Sequence, residues 1–273
     1  MKLKIVFVPL LLVLLFLIGC GDSSSGDSSV LSENDDSPVI QNGDESGNDD
    51  ESPIFEFADD EETEIAKYTG SNASVTIPEG VRIIGRRAFD GQSSLINVTI
   101  PNSVITISTD AFVNCSSLTN VTIPESVKEI YGGAFAGCEA FTKMTIPSGI
   151  TKIDVNIFQG CTSLTDVVLP DTITSIEASA FMWCESLKNI NIPNGVKTIG
   201  NEAFSRCISL TNLTLPDGLI EIGNWVFDNC ISLSDINIPD TVKIIGNGAF
   251  SGCVSLPETV KNKILQINPD AEF

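Results

Sequence analysis

Ala111-Phe112-Val113-Asn114-Cys115-Ser116-Ser117-Leu118-Thr119-Asn120-Val121-Thr122-Ile123-Pro124 is one instance of a pattern that recurs along most of the chain. Its proline has counterparts at a constant interval of 23 residues: Pro78, Pro101, Pro147, Pro170, Pro193, Pro216 and Pro239. Chance does not produce such spacing. With the units laid over one another, the third residue after the proline is Val, Ile or Leu. The sixth is Ile throughout, from Ile84 to Ile245, and the eleventh is Phe throughout, from Phe89 to Phe250. The fourteenth is Cys from Cys115 to Cys253, with Gln92 in the first unit, and the seventeenth is Leu except for Phe141. A period in the twenties with several apolar positions in register predicts a solenoid, in which each coil stacks its apolar positions on those of its neighbours.

Inside a unit, Leu118 to Ile123 alternates β-branched and polar residues and stops at Pro124, which predicts a short strand. The Ala-Phe-x-x-Cys segment, as in Ala111 to Cys115, predicts a helical turn on the opposite side. Together these residues resemble the BspA-like leucine-rich repeat, the treponemal type, with a consensus close to I-P-x-x-V-x-x-I-x-x-x-A-F-x-x-C-x-S-L-x-x-V-x. The resemblance runs from about Val75 to Leu256; Gln92, Phe141, Ile157 and Val226 depart from it at single rungs. The expected fold is a leucine-rich-repeat solenoid of eight 23-residue units with short parallel strands. A solenoid must hide its end coils. Phe55 and Phe57 alternate with acidic residues ahead of Ile65 and Tyr68, which predicts an N-terminal hairpin cap. Beyond Leu256 the chain turns at Pro257 into a segment where Leu256, Val260 and Ile264 share one face, which predicts a C-terminal helix cap.

Upstream of the repeats, Lys2 and Lys4 precede an apolar run from Ile5 to Ile18, the layout of a signal peptide too short for a comfortable bilayer span. Leu17-Ile18-Gly19-Cys20 resembles the bacterial lipobox, which implies cleavage before Cys20 and acylation of that cysteine. The membrane is then a partner through the Cys20 lipid anchor. The segment that follows is dominated by Ser, Gly, Asp, Asn and Glu and has no Lys or Arg, and such composition predicts a disordered acidic tether. The expected organisation is signal peptide 1–19, tether 20–53, N-terminal cap 54–74, repeats 75–256, and cap helix with tail 257–273.

The chain holds 36 acidic against 15 basic residues, a net charge of -21, and this argues against nucleic-acid binding, which needs a positive patch to displace counterions. It contains no histidine, so no Ser-His-Asp triad or His-ligated zinc site is available. No catalytic, cofactor or metal residues are expected. The repeat cysteines read as buried free thiols between Phe and Leu, because seven is an odd number and the spacing is not that of a metal site. An enzyme built on carboxylates such as Asp166 and Asp171 is disfavoured, since no unit breaks pattern to form a pocket.

The candidate partner-binding residues are large apolar side chains at otherwise polar repeat positions: Trp183, Trp225, Ile208 and Ile231. Burial against a neighbouring loop or the cap helix is the competing reading. Polar rows such as Asn97, Asn120, Lys143 and Asp166 are expected to point outward and solvate the sheet. The resemblance implies a bacterial cell-envelope protein whose relatives act as adhesins. The expected function is a surface-exposed, lipid-anchored module that binds a protein or glycan partner, the alternative being an envelope scaffold with only bacterial partners.

Overall fold

The computed structural model describes residues 55–273. The signal peptide, Cys20 and the acidic tether lie outside the described residues. Within them each unit forms one coil with three sides.

The first side carries the strands expected from the alternating segment: β3 (Ser74–Thr76), β5 (Asn97–Thr99), β7 (Asn120–Thr122), β9 (Lys143–Thr145), β11 (Asp166–Val168), β14 (Asn212–Leu213) and β16 (Asp235–Ile236). The middle residue of β5, β9 and β11 is buried, and their last residue faces water. Residues 189–191 take no strand conformation, although Ile190 is buried like its counterparts. A second side, which the sequence pattern had not announced, is built on the invariant Ile: β4 (Ile83–Ile84), β6 (Thr106–Ile107), β8 (Glu129–Ile130), β10 (Lys152–Ile153), β12 (Ser175–Ile176), β13 (Thr198–Ile199), β15 (Glu221–Ile222) and β17 (Ile244–Ile245). Pairing between coils is parallel and in repeat register, with Val98 opposite Val121 and Ile107 opposite Ile130. The proline between the two sides has no N–H to leave unpaired at a strand end. Its carbonyl closes a tight turn by accepting from the third residue on, as Pro124 does from Val127 at 3.0 Å.

The third side corrects the expected helical turn. Alternate residues of the Ala-Phe-x-x-Cys segment bond to the next coil instead of along the chain: Phe112 N–H donates to the Ala134 carbonyl at 2.8 Å and Asn114 N–H to that of Ala136 at 2.7 Å. The residues between them close turns three residues back, as Val113 does onto Asp110 at 3.0 Å and Cys115 onto Phe112 at 3.2 Å. A left-handed residue in every fourth position, such as Asp110 and Asn114 with φ of 59° and 58°, prevents a helix and turns the carbonyls toward the neighbouring coil.

The coils enclose one continuous apolar core. The repeat phenylalanines stack face to face along it, with ring centroids from 4.8 Å between Phe89 and Phe112 to 5.9 Å between Phe135 and Phe158. Each repeat thiol is free, buried, and donates to the carbonyl of the phenylalanine one coil earlier, at 3.0 Å for Cys115 onto Phe89 and 3.3 Å for Cys161 onto Phe135. This explains a small side chain with a donor at that position. It also explains the exception: Gln92 donates from Nε2 to the Tyr68 carbonyl at 3.2 Å, where Tyr68 heads the aromatic stack 5.1 Å from Phe89.

The two ends are closed as expected. β1 (Phe55–Phe57) pairs antiparallel with β2 (Glu64–Tyr68), and β2 continues into the second sheet by pairing in parallel with β4. Phe55, Phe57, Ile65 and Tyr68 are all buried. At the other end α1 (Glu258–Ile267) begins directly after Pro257, which is the N-cap and not the first helical residue. Ile264 is the helix's buried residue, with Val260 packed at the edge of the core.

Candidate binding surface

Two positions per coil, nine and thirteen residues after each proline, have positive φ in every coil. An L residue with a Cβ adopts this conformation at a cost of about 1 to 2 kcal/mol, which glycine avoids and short polar side chains lessen. The thirteenth-position row reads Gly91, Asn114, Gly137, Gly160, Trp183, Arg206, Asn229 and Gly252. Glycine and asparagine, which fill six of the eight places, are what the backbone favours there. Trp183, with φ 62°, and Trp225 in the ninth-position row, with φ 57°, are the two residues least suited to it.

The two rings have different surroundings. Trp225 is 42% exposed, and its indole lies over Gly248 of the following coil, in the space a side chain there would fill. Part of the competing reading therefore holds for Trp225, which covers a backbone gap near the end of the array. Trp183 is 41% exposed and forms a wall of a depression of about 610 Å³ whose lining includes Asn114, Gly137, Glu139, Gly160, Glu185 and Arg206. The glycines make this space: a Cβ added at Gly160 would meet only the Gly137 backbone, at 3.8 Å. Glu139 and Glu185 belong to the row two residues further on, which continues as Ile208, Ile231 and Val254. Ile231 is exposed, Val254 still more so, and Ile208 is half-buried. Trp183, Ile208 and Ile231 thus lie on adjacent rows of one side, while Trp225 stands apart in the ninth-position row.

Elsewhere little chemistry is assembled. Asp166 faces Lys143 across adjacent strands at 3.8 Å, an exposed pair. Burial pushes the thiols of Cys115, Cys161 and Cys253 up to about 12, so that at neutral pH they are uncharged and poor nucleophiles. Among the described residues no three His, Cys, Asp or Glu side chains gather to hold a metal ion.

The family model for the BspA type leucine rich repeat region matches residues 63–188 and 174–271, in six copies. A leucine-rich repeat protein of T. pallidum is 28% identical over 81% of this chain and 97% of its own, with a TM-score of 0.58. A leucine-rich cell surface protein from Faecalibacterium prausnitzii is 26% identical over 81% of this chain and 82% of its own, with a TM-score of 0.51. A leucine-rich repeat protein from Eubacterium ventriosum, 23% identical over 68% of this chain and 60% of its own, shares the fold with a TM-score of 0.56. The curated proteins give no match.

Proposed function

The chain belongs to the BspA-type leucine-rich repeat family, and we propose that it is a lipid-anchored module displayed on a bacterial cell surface, where it binds a protein partner through the turn side of its solenoid. The observation that carries this reading is Trp183: a large aromatic stands half-exposed at a left-handed position where the fold is served by glycine or asparagine. Core packing does not ask for it, and tryptophan is enriched among residues that dominate binding energy. The lipobox-like Leu17-Ile18-Gly19-Cys20 and the acidic spacer that follows support display away from the membrane. The similarity to a Faecalibacterium prausnitzii protein described as a cell surface protein supports the same address.

Two measurements test it. Externally added protease removes the repeat domain from intact cells, and Cys20→Ser releases the protein from the membrane fraction. A repeat domain that is cut only after the envelope is permeabilised would assign the protein to an internal scaffold. Unchanged membrane association of Cys20→Ser, or a mature N-terminus at another residue, would remove the lipid anchor.

A further inference from the structure

We propose that the depression beside Trp183 receives a lysine or arginine side chain of the partner protein, an inference that rests on the binding role of this surface. The floor is Gly137 and Gly160, with φ of 72° and 73°, flanked in their row by the side chains of Asn114 and Trp183. The wall is the indole of Trp183. A cation over a tryptophan face within about 6 Å is held by the ring quadrupole. Among the described residues no cation takes that place: the one over an aromatic ring is Lys261, 5.5 Å from the centre of Phe273.

Charge selects the ligand. Glu139 and Glu185 line the depression, on the coils of Gly137 and Trp183, and neither carboxylate has an ion-pair or hydrogen-bond partner among the described residues. Arg206 is the lining cation and stands one coil beyond Trp183, on the far side of that coil from Gly160, so the lining carries an excess of negative charge. Exposed carboxylates alone contribute little. Set beside an unoccupied aromatic face and a glycine floor, they define a slot for a long side chain with an apolar stem and a positive tip. The carboxylate row runs on into Ile208, Ile231 and Val254, so the partner surface that fits carries its basic residue next to apolar ones.

The chain has two tryptophans, so Trp225→Phe leaves Trp183 as the sole tryptophan reporter, excited selectively over the two tyrosines, in the purified full-length protein. Hexalysine is titrated at about physiological ionic strength, with hexaglutamate and the neutral trisaccharide chitotriose as comparison probes. The expected result is a saturable change in Trp183 emission with hexalysine alone. Its apparent Kd weakens at least tenfold in Glu139→Gln/Glu185→Gln and in Gly160→Asn. The last variant fills the floor with the residue the chain itself carries at Asn114 and Asn229, where φ is 58° and 55°, so folding is preserved. Because the acidic segment upstream attracts polylysine, equal binding by the parent and by both pocket variants would overturn the proposal. So would a response to chitotriose in place of hexalysine, or no response to either. A repeat domain hidden on intact cells, together with pocket-dependent hexalysine binding, would defeat the surface address while leaving the pocket; the reverse pair of results would do the opposite.

Discussion

Phe158→Ala lowers the free energy of unfolding by about 3 to 5 kcal/mol. The ring is fully buried and stacks on Phe135 at 5.9 Å and on Phe181 at 5.5 Å, so its removal empties a rung that both neighbouring coils use. The rung cannot collapse around the gap. The Phe158 N–H is bonded to the Ala180 carbonyl at 2.9 Å, and the Phe158 carbonyl accepts the Cys184 thiol at 3.2 Å; both bonds hold the coils at their spacing after the ring is gone. In a solenoid, stability is close to a sum of coil and interface terms, and a defect in the middle weakens two interfaces. Phe55→Ala costs less, because β1 pairs only with β2 and its hairpin can open without splitting the array. Urea unfolding of the two variants separates these outcomes, and equal losses would contradict the assigned core.

Raising the pH above about 9 destabilises the repeats, because their thiols are buried. Burial holds Cys115, Cys161 and Cys253 at about 12, raised from the ordinary thiol value of 9.0. Cys138, Cys184 and Cys230 are raised by the same burial and, secondarily, by neighbouring thiols. Below 9 both folded and unfolded chains keep these protons, and the contribution to stability is fully present. As pH rises through 9 the unfolded chain releases protons that the folded chain retains, so stability falls, and it goes on falling until the folded thiols themselves titrate. Each thiol contributes a slope of at most about 1.4 kcal/mol per pH unit. With seven buried thiols the combined limit is about 10 kcal/mol per pH unit, comparable to the whole stability of an ordinary domain. Circular dichroism against pH should show cooperative loss of structure between about pH 9 and 11, and Cys161→Ala should reduce the slope by about one thiol's share. A stability independent of pH up to 10.5 would show that the thiols are not buried and protonated.

The architecture was legible because the solenoid repeats its demands. One phenylalanine is compatible with core or surface, but eight at a spacing of 23 residues have to stack, and they do. The third side was misread because Ala111, Phe112 and Cys115 have a spacing that a helical turn and a chain of coil-bridging turns both satisfy. The deciding signal lay beside them, in the glycines and asparagines of the row from Gly91 to Gly252, which mark a left-handed backbone in every coil. Gln92 looked like a lapse in the cysteine row, and its equivalence emerged only when its amide was seen to make the thiol's hydrogen bond. Trp183 and Trp225 stood out as misfits, yet the difference between them depends on what each ring lies over: Gly248 in one case, an open glycine floor in the other. That difference arises from neighbours 23 residues away and is invisible in either local segment.

On the proposed function Trp183 serves a partner and not the fold, and the stability of Trp183→Asn tests this without any knowledge of the partner. Asparagine relieves a left-handed tryptophan, which restores about 1 kcal/mol, and gives up a ring that is already 41% exposed. The expected result of urea unfolding is a stability within about 1 kcal/mol of the parent, far from the loss expected for Phe158→Ala. A loss of about 3 kcal/mol or more would make Trp183 part of the core and contradict the claim.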